Sequence, residues 1–136
     1  MKPVIIAYLA TLAVFAALDF LWLWRMADVI YRPAMGDMVL ERFRLAPAVL
    51  FYLIYAAGLA YVAVLPALGS GDGSRAVIQG AVLGFLAYAT YDLTNQATLK
   101  NWSTALTLAD VAWGTVLSGV SAWAGYHMTA LLIRSV

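Results

Sequence analysis

Apolar residues run almost unbroken through four stretches of this chain, at about Val4 to Trp24, Pro47 to Leu68, Ala76 to Thr98 and Thr104 to Ile133. A helix needs ~20 such residues to cross a hydrocarbon core of ~30 Å, and each stretch meets that length. The pattern predicts an all-α integral membrane bundle of four transmembrane helices, with residues 1–136 forming one transmembrane domain. The first apolar run is longer than the ~7–15 residues of a signal-peptide core, so it reads as a retained helix.

Polar positions mark the connections. Gly69-Ser70-Gly71-Asp72-Gly73-Ser74 reads as a flexible turn at the midpoint, because glycine and small polar residues favour turns over helix. Leu99 to Ser103 is short enough to require an antiparallel hairpin, with Ser103 or Thr104 capping the fourth helix. The longest connection, Arg25 to Ala46, mixes charges with Met26, Val29, Ile30, Met38, Leu40 and Phe43, which predicts an interfacial segment.

Composition fits a lipid solvent: 65% of the 136 residues are hydrophobic and 11% charged, against ~45–50% and ~25% in soluble domains. Five of the eight basic residues, Arg25, Arg32, Arg42, Arg44 and Lys100, fall on one side of the predicted membrane. Basic residues favour the cytoplasmic side, so both termini are expected outside, in a multi-pass protein of a bacterial inner membrane. The basic residues form no cluster, which excludes nucleic acid as a partner. With no cysteine and one histidine, His127, thiolate chemistry is excluded and neither metal nor cofactor is expected. Trp22, Trp24, Tyr31, Trp102 and Tyr126 fall near span ends and are read as interfacial anchors.

Three acids change the picture. Asp19, Asp92 and Asp110 lie inside the predicted first, third and fourth spans, where an aspartate costs about 2.5–3.5 kcal/mol at the helix centre. Counting 1.5 Å per residue from the span ends puts all three in one layer, about 9 Å from the Arg-rich side. Tyr88 and Asn95 share a helical stripe with Asp92, as Thr107 and Trp113 do with Asp110. No basic residue lies within the spans, leaving Arg25 and Lys100 to reach inward by snorkelling. Gly80 and Gly84, and then Gly114, Ser118, Ser121 and Gly125, have the small-residue spacing of close helix packing. Asn101-Trp102-Ser103 matches a glycosylation sequon, but its short turn lies too near the membrane to be used, and the match is read as chance.

The run Tyr91-Asp92-Leu93-Thr94-Asn95, then Ala97-Thr98-Leu99-Lys100, Trp102 and Asp110-Val111-Ala112-Trp113-Gly114-Thr115, resembles the signature of a bacterial membrane protein family. That family is known as domain of unknown function number two-one-seven-seven. The resemblance covers the whole chain and implies a four-helix inner-membrane protein with no established reaction. It makes Asp92, Asn95, Asp110 and Trp113 the residues to test first.

From the residues themselves, the reading placed first is a protein that binds or carries a lipid-like or small amphipathic molecule. Its polar pocket would be formed by Asp19, Tyr88, Asp92, Asn95, Asp110 and Trp113. A membrane enzyme using an aspartate as acid or base on a lipid competes with it, as does an accessory subunit in which the acids clamp helices together. Expected partners are the bilayer, the amphipathic ligand and further copies of the chain, with the flat helical faces and the first loop holding partner proteins in the accessory-subunit reading.

Overall fold

In lipid a backbone amide has no water to bond, so a crossing segment must satisfy its own polar groups, and an apolar run does this as a helix. The structure is a computed structural model that describes residues 1–135. Its helices are α1 (Lys2–Met26), α2 (Arg32–Met35), α3 (Leu45–Leu59), α4 (Leu65–Ser70), α5 (Gly73–Thr98) and α6 (Thr104–Arg134). They join into four rods long and apolar enough to cross a membrane: Lys2–Met38, Leu45–Ser70, Gly73–Thr98 and Thr104–Arg134.

Two of these rods contain a π-helical turn, and each precedes a proline. Ala27–Tyr31 leads into α2 with Pro33 in its first turn, and Ala60–Val64 leads into α4 with Pro66 in its first turn. Proline has no amide hydrogen, and its ring clashes with the carbonyl four residues back. The wider turn answers this by pairing the preceding amide five residues back, Arg32 with Ala27 and Leu65 with Ala60.

The segment from Arg25, expected to be an interfacial connection, therefore continues the first helix, and only residues 39–44 lack regular structure before α3. Gly36, at φ 56°, turns the chain off that rod. The glycine-rich midpoint is also tighter than a flexible turn. Helix continues to Ser70, Gly71 adopts a left-handed φ of 69°, and the Asp72 carboxylate caps α5 by accepting from the Ser74 amide at 2.9 Å. Ser103, rather than Thr104, caps α6 by accepting from the Leu106 amide.

Polar side chains share the interior with apolar ones, and large apolar side chains face outward. The interior holds Thr11, Asp19, Asp92, Thr107, Asp110, Ser118, Ser121 and Thr129, while Leu45 and Tyr61 are 74% and 75% exposed. Large apolar side chains facing outward suit a lipid solvent, in which their exposure costs nothing. Association then relies on close packing, and α5 and α6 form the most extensive helix pair. A Cβ at Gly80 would come within 2.7 Å of the Ser118 carbonyl, and one at Gly84 within 2.3 Å of the Gly114 carbonyl. The small residues thus set the backbone separation, as their spacing predicts. An alanine-rich cluster of Ala7, Ala63, Val64, Ala67, Ala76 and Ala122 fills one part of the core, and Phe15, Tyr55, Leu59 and Leu117 fill another.

Candidate functional site

α1 delivers Asp19 to the interior beside residues of α3 and α6. Its Oδ2 accepts a 2.6 Å hydrogen bond from the Tyr52 hydroxyl, and its Oδ1 accepts one of 3.0 Å from Trp113 Nε1. One carboxylate thereby ties three helices. Asp110, on α6, accepts a 2.5 Å bond from the Tyr31 hydroxyl, which itself accepts from Trp22 Nε1 at 2.9 Å. The Trp22 and Trp113 rings stack 4.4 Å apart and 7° from parallel, joining the two acid sites into one network.

Every donor in this network is neutral. Arg25 and Lys100 are exposed, and among the described residues the ion pair is Arg32 with Asp28, on the outer surface. The expected inward reach of Arg25 and Lys100 is not adopted, and the donors on Asp19 and Asp110 are tyrosine hydroxyls and an indole. Trp22 and Tyr31, read from sequence as interfacial anchors, both take part in the interior network, Trp22 from regular α1 and Tyr31 from the π turn that follows it. Tyr52 had no distinguishing mark in a uniformly apolar stretch.

Asp92 differs from its two partners. It is 0% exposed, and neither carboxyl oxygen meets a donor. On α5 it lies between Tyr88, which packs on Gly114 of α6, and Gln96, which bonds Thr107, so the α6 residue opposite it is Asp110, whose carboxyl can bond it only if the pair holds a proton. Asn95, one turn further along α5, is half-buried. Thr107, which shares a stripe with Asp110, turns toward the hairpin end: it donates to Gln96 at 2.9 Å and accepts from Trp102 Nε1 at 3.0 Å. Trp102 is therefore a hairpin clasp as well as a ring near a span end.

Two cavities border the acids. The larger, about 510 Å³, is lined by Leu23, Met35, Val39, Leu40, Phe43 and Pro47 together with Asp19, Tyr31, Tyr88, Tyr91, Asp110 and Arg44. The smaller, about 300 Å³, is lined by Phe51, Ala87, Tyr88, Tyr91 and Asp110. Of the residues singled out in sequence, Asp19, Tyr88 and Asp110 thus face a cavity. Trp113 stands behind Asp19 as its donor, and Asp92 stands behind Asp110. Asn95 lines neither cavity, because its place one turn beyond Asp92 carries it past them.

Tyr31→Phe removes the donor to Asp110 and the acceptor for Trp22 together. It is expected to speed amide hydrogen exchange across residues 27–38 while leaving α5 and α6 protected. Unchanged exchange in that segment would show that the tyrosine does not hold the end of the first rod to the bundle.

No curated protein and no solved structure matches the chain. The profile of one family, described as a predicted membrane protein and designated DUF2177, matches residues 4–127. The match takes in residues from all four membrane-spanning rods, and the chain belongs to this family.

Proposed function

We propose that this protein binds a small amphipathic, lipid-like molecule in the cavity between its acid layer and the connection after the first rod. The observation that carries this reading is the mixed lining of the larger cavity. Two aspartates and three tyrosines line it together with Leu23, Met35, Val39, Leu40 and Phe43, with room for about 510 Å³. Ligand sites combine mostly apolar walls with a few placed polar groups, and this lining has that form. A carboxylate offers about four lone-pair positions, so Asp19 and Asp110 retain acceptor capacity after the bonds they already make. In a bacterial inner membrane oriented by its basic residues, the mouth beside Arg44 would face the cytoplasm.

Extraction without detergent, followed by native mass spectrometry, tests the reading. The wild-type protein is expected to carry a bound small molecule. Ala48→Trp, at an exposed position on the cavity lining, should exclude it with little change in melting temperature. Retention of the same bound mass by this variant would reject the cavity as the site.

A structural reading of the acids has its own support, since Asp19 and Asp110 tie α1, α3, α6 and the Tyr31 turn together. The two readings meet in the same groups: hydrogen bonds that hold the acids also aim them at the cavity.

A further inference from the structure

We infer that the cleft formed by Phe51, Tyr88, Tyr91 and Asp110 receives the substituted ammonium group of an amphiphile, whose arrival expels a single proton shared by Asp92 and Asp110. This rests on the binding reading above and names the head group that such a site would take.

The head group follows from the lining. Three aromatic residues and one aspartate line about 300 Å³. Aromatic faces attract cations, and alkylated ammonium groups are recognised by cages of such rings with an acid nearby. The apolar wall of the adjoining larger cavity gives the remainder of an amphiphile a place to lie, and Tyr88, Tyr91 and Asp110 belong to both linings.

The proton follows from Asp92. A carboxyl that is 0% exposed with no donor on either oxygen, opposite a second carboxyl in the α5–α6 register, is unsupported as an anion. Two like charges in contact cannot both persist in a medium that solvates neither, whereas one proton between them supplies the missing hydrogen bond. Around the pair stand Asp19 on α1, Tyr31 on the first rod's π turn, Tyr55 on α3, Tyr88 and Tyr91 on α5, and exposed Arg44 on the outer lining. None of them is a buried cation that could neutralise a second negative charge. When an ammonium enters, the O–H bond of the shared proton breaks and the proton leaves through the larger cavity. One positive charge replaces another, and the net charge of the site is conserved.

The test uses the full-length protein in phosphatidylglycerol nanodiscs, with dodecyltrimethylammonium as probe. Infrared difference spectra should show a protonated-carboxyl band in the wild type, absent in Asp92→Asn, that disappears on saturation with the probe. One proton released per probe makes affinity rise about tenfold for each unit of pH increase. Asp92→Asn offers a permanent amide donor to Asp110, so it should bind with little pH dependence. Asp110→Asn should bind no more probe than empty nanodiscs. In phosphatidylcholine nanodiscs, loss of the band without probe would identify a lipid head group as the occupant. Its persistence until probe is added would identify a free amphiphile.

A wild type that binds the probe with flat pH dependence, or whose band is absent or unmoved, would overturn proton release and leave the cavity reading standing. Failure to bind cationic, zwitterionic and anionic amphiphiles alike would remove both. Should Asp92→Asn fail to fold, the wild-type spectrum and pH profile decide the matter alone.

Discussion

Alanine at Gly84 is expected to destabilise the bundle by about 1–3 kcal/mol, while alanine at Gly58 is expected to be neutral or slightly stabilising. The two substitutions are chemically identical and both lie within helices. At Gly84 the added Cβ would stand 2.3 Å from the Gly114 carbonyl and 2.5 Å from Ser118 Oγ, so α5 and α6 must separate to admit it. At Gly58 the same carbon meets nothing within 4 Å, and only the gain in helix propensity remains. Gly114→Ala should resemble Gly84→Ala and also disturb the cavity, because its Cβ would fall 2.1 Å from the Tyr88 ring. Unfolding in mixed micelles under rising denaturant checks the order. Equal midpoints for Gly84→Ala and Gly58→Ala would show that the α5–α6 contact is looser than described.

The second large effect belongs to Asp19. Its replacement by alanine strands the Tyr52 hydroxyl and the Trp113 indole, two donors away from water, each costing roughly 1–3 kcal/mol if unpaired. Membrane hydrogen bonds often contribute nearer 0.6–2 kcal/mol, because the separated helices find other partners. We therefore expect a total loss of about 2 kcal/mol for Asp19→Ala and a smaller one for Asp19→Asn, which keeps one acceptor oxygen. Trp113 fluorescence should change in both variants, as its ring nitrogen loses or exchanges its partner. An Asp19→Ala protein that melts with the wild type would deny the carboxylate its clamping role.

The four spans are legible in the sequence because the cost of burying charge in hydrocarbon leaves few places for connections. The interior acids are legible for the same reason. Counting residues from the span ends places Asp19 and Asp110 at a common depth, and a shared bridge through Trp22, Trp113 and Tyr31 joins them. Rotation about each helix is a different quantity. α3 is apolar on nearly every side, so no periodicity marks the face on which Tyr52 approaches Asp19. Trp22 and Tyr31 were read by depth alone, which suggests a membrane surface, whereas their orientation makes them donors within the bundle. Asn95 is a different case, lining neither cavity. Its spacing from Asp92 is right for a shared stripe, but the cavity ends before that turn, and sequence spacing does not describe where empty space lies.

The proline-linked π turns bear on how this chain can vary. A π turn accommodates one residue more than the ordinary helix around it, and one residue corresponds to about 100° of rotation. A descendant that exchanged Pro33 for a residue with an amide hydrogen could return to regular pairing, swinging Tyr31 away from Asp110. To keep that tyrosine aimed inward it would also have to shed a residue between Ala27 and Tyr31. Substitution and deletion are coupled events at this site, so a gap in the family's alignment there should travel with loss of the proline.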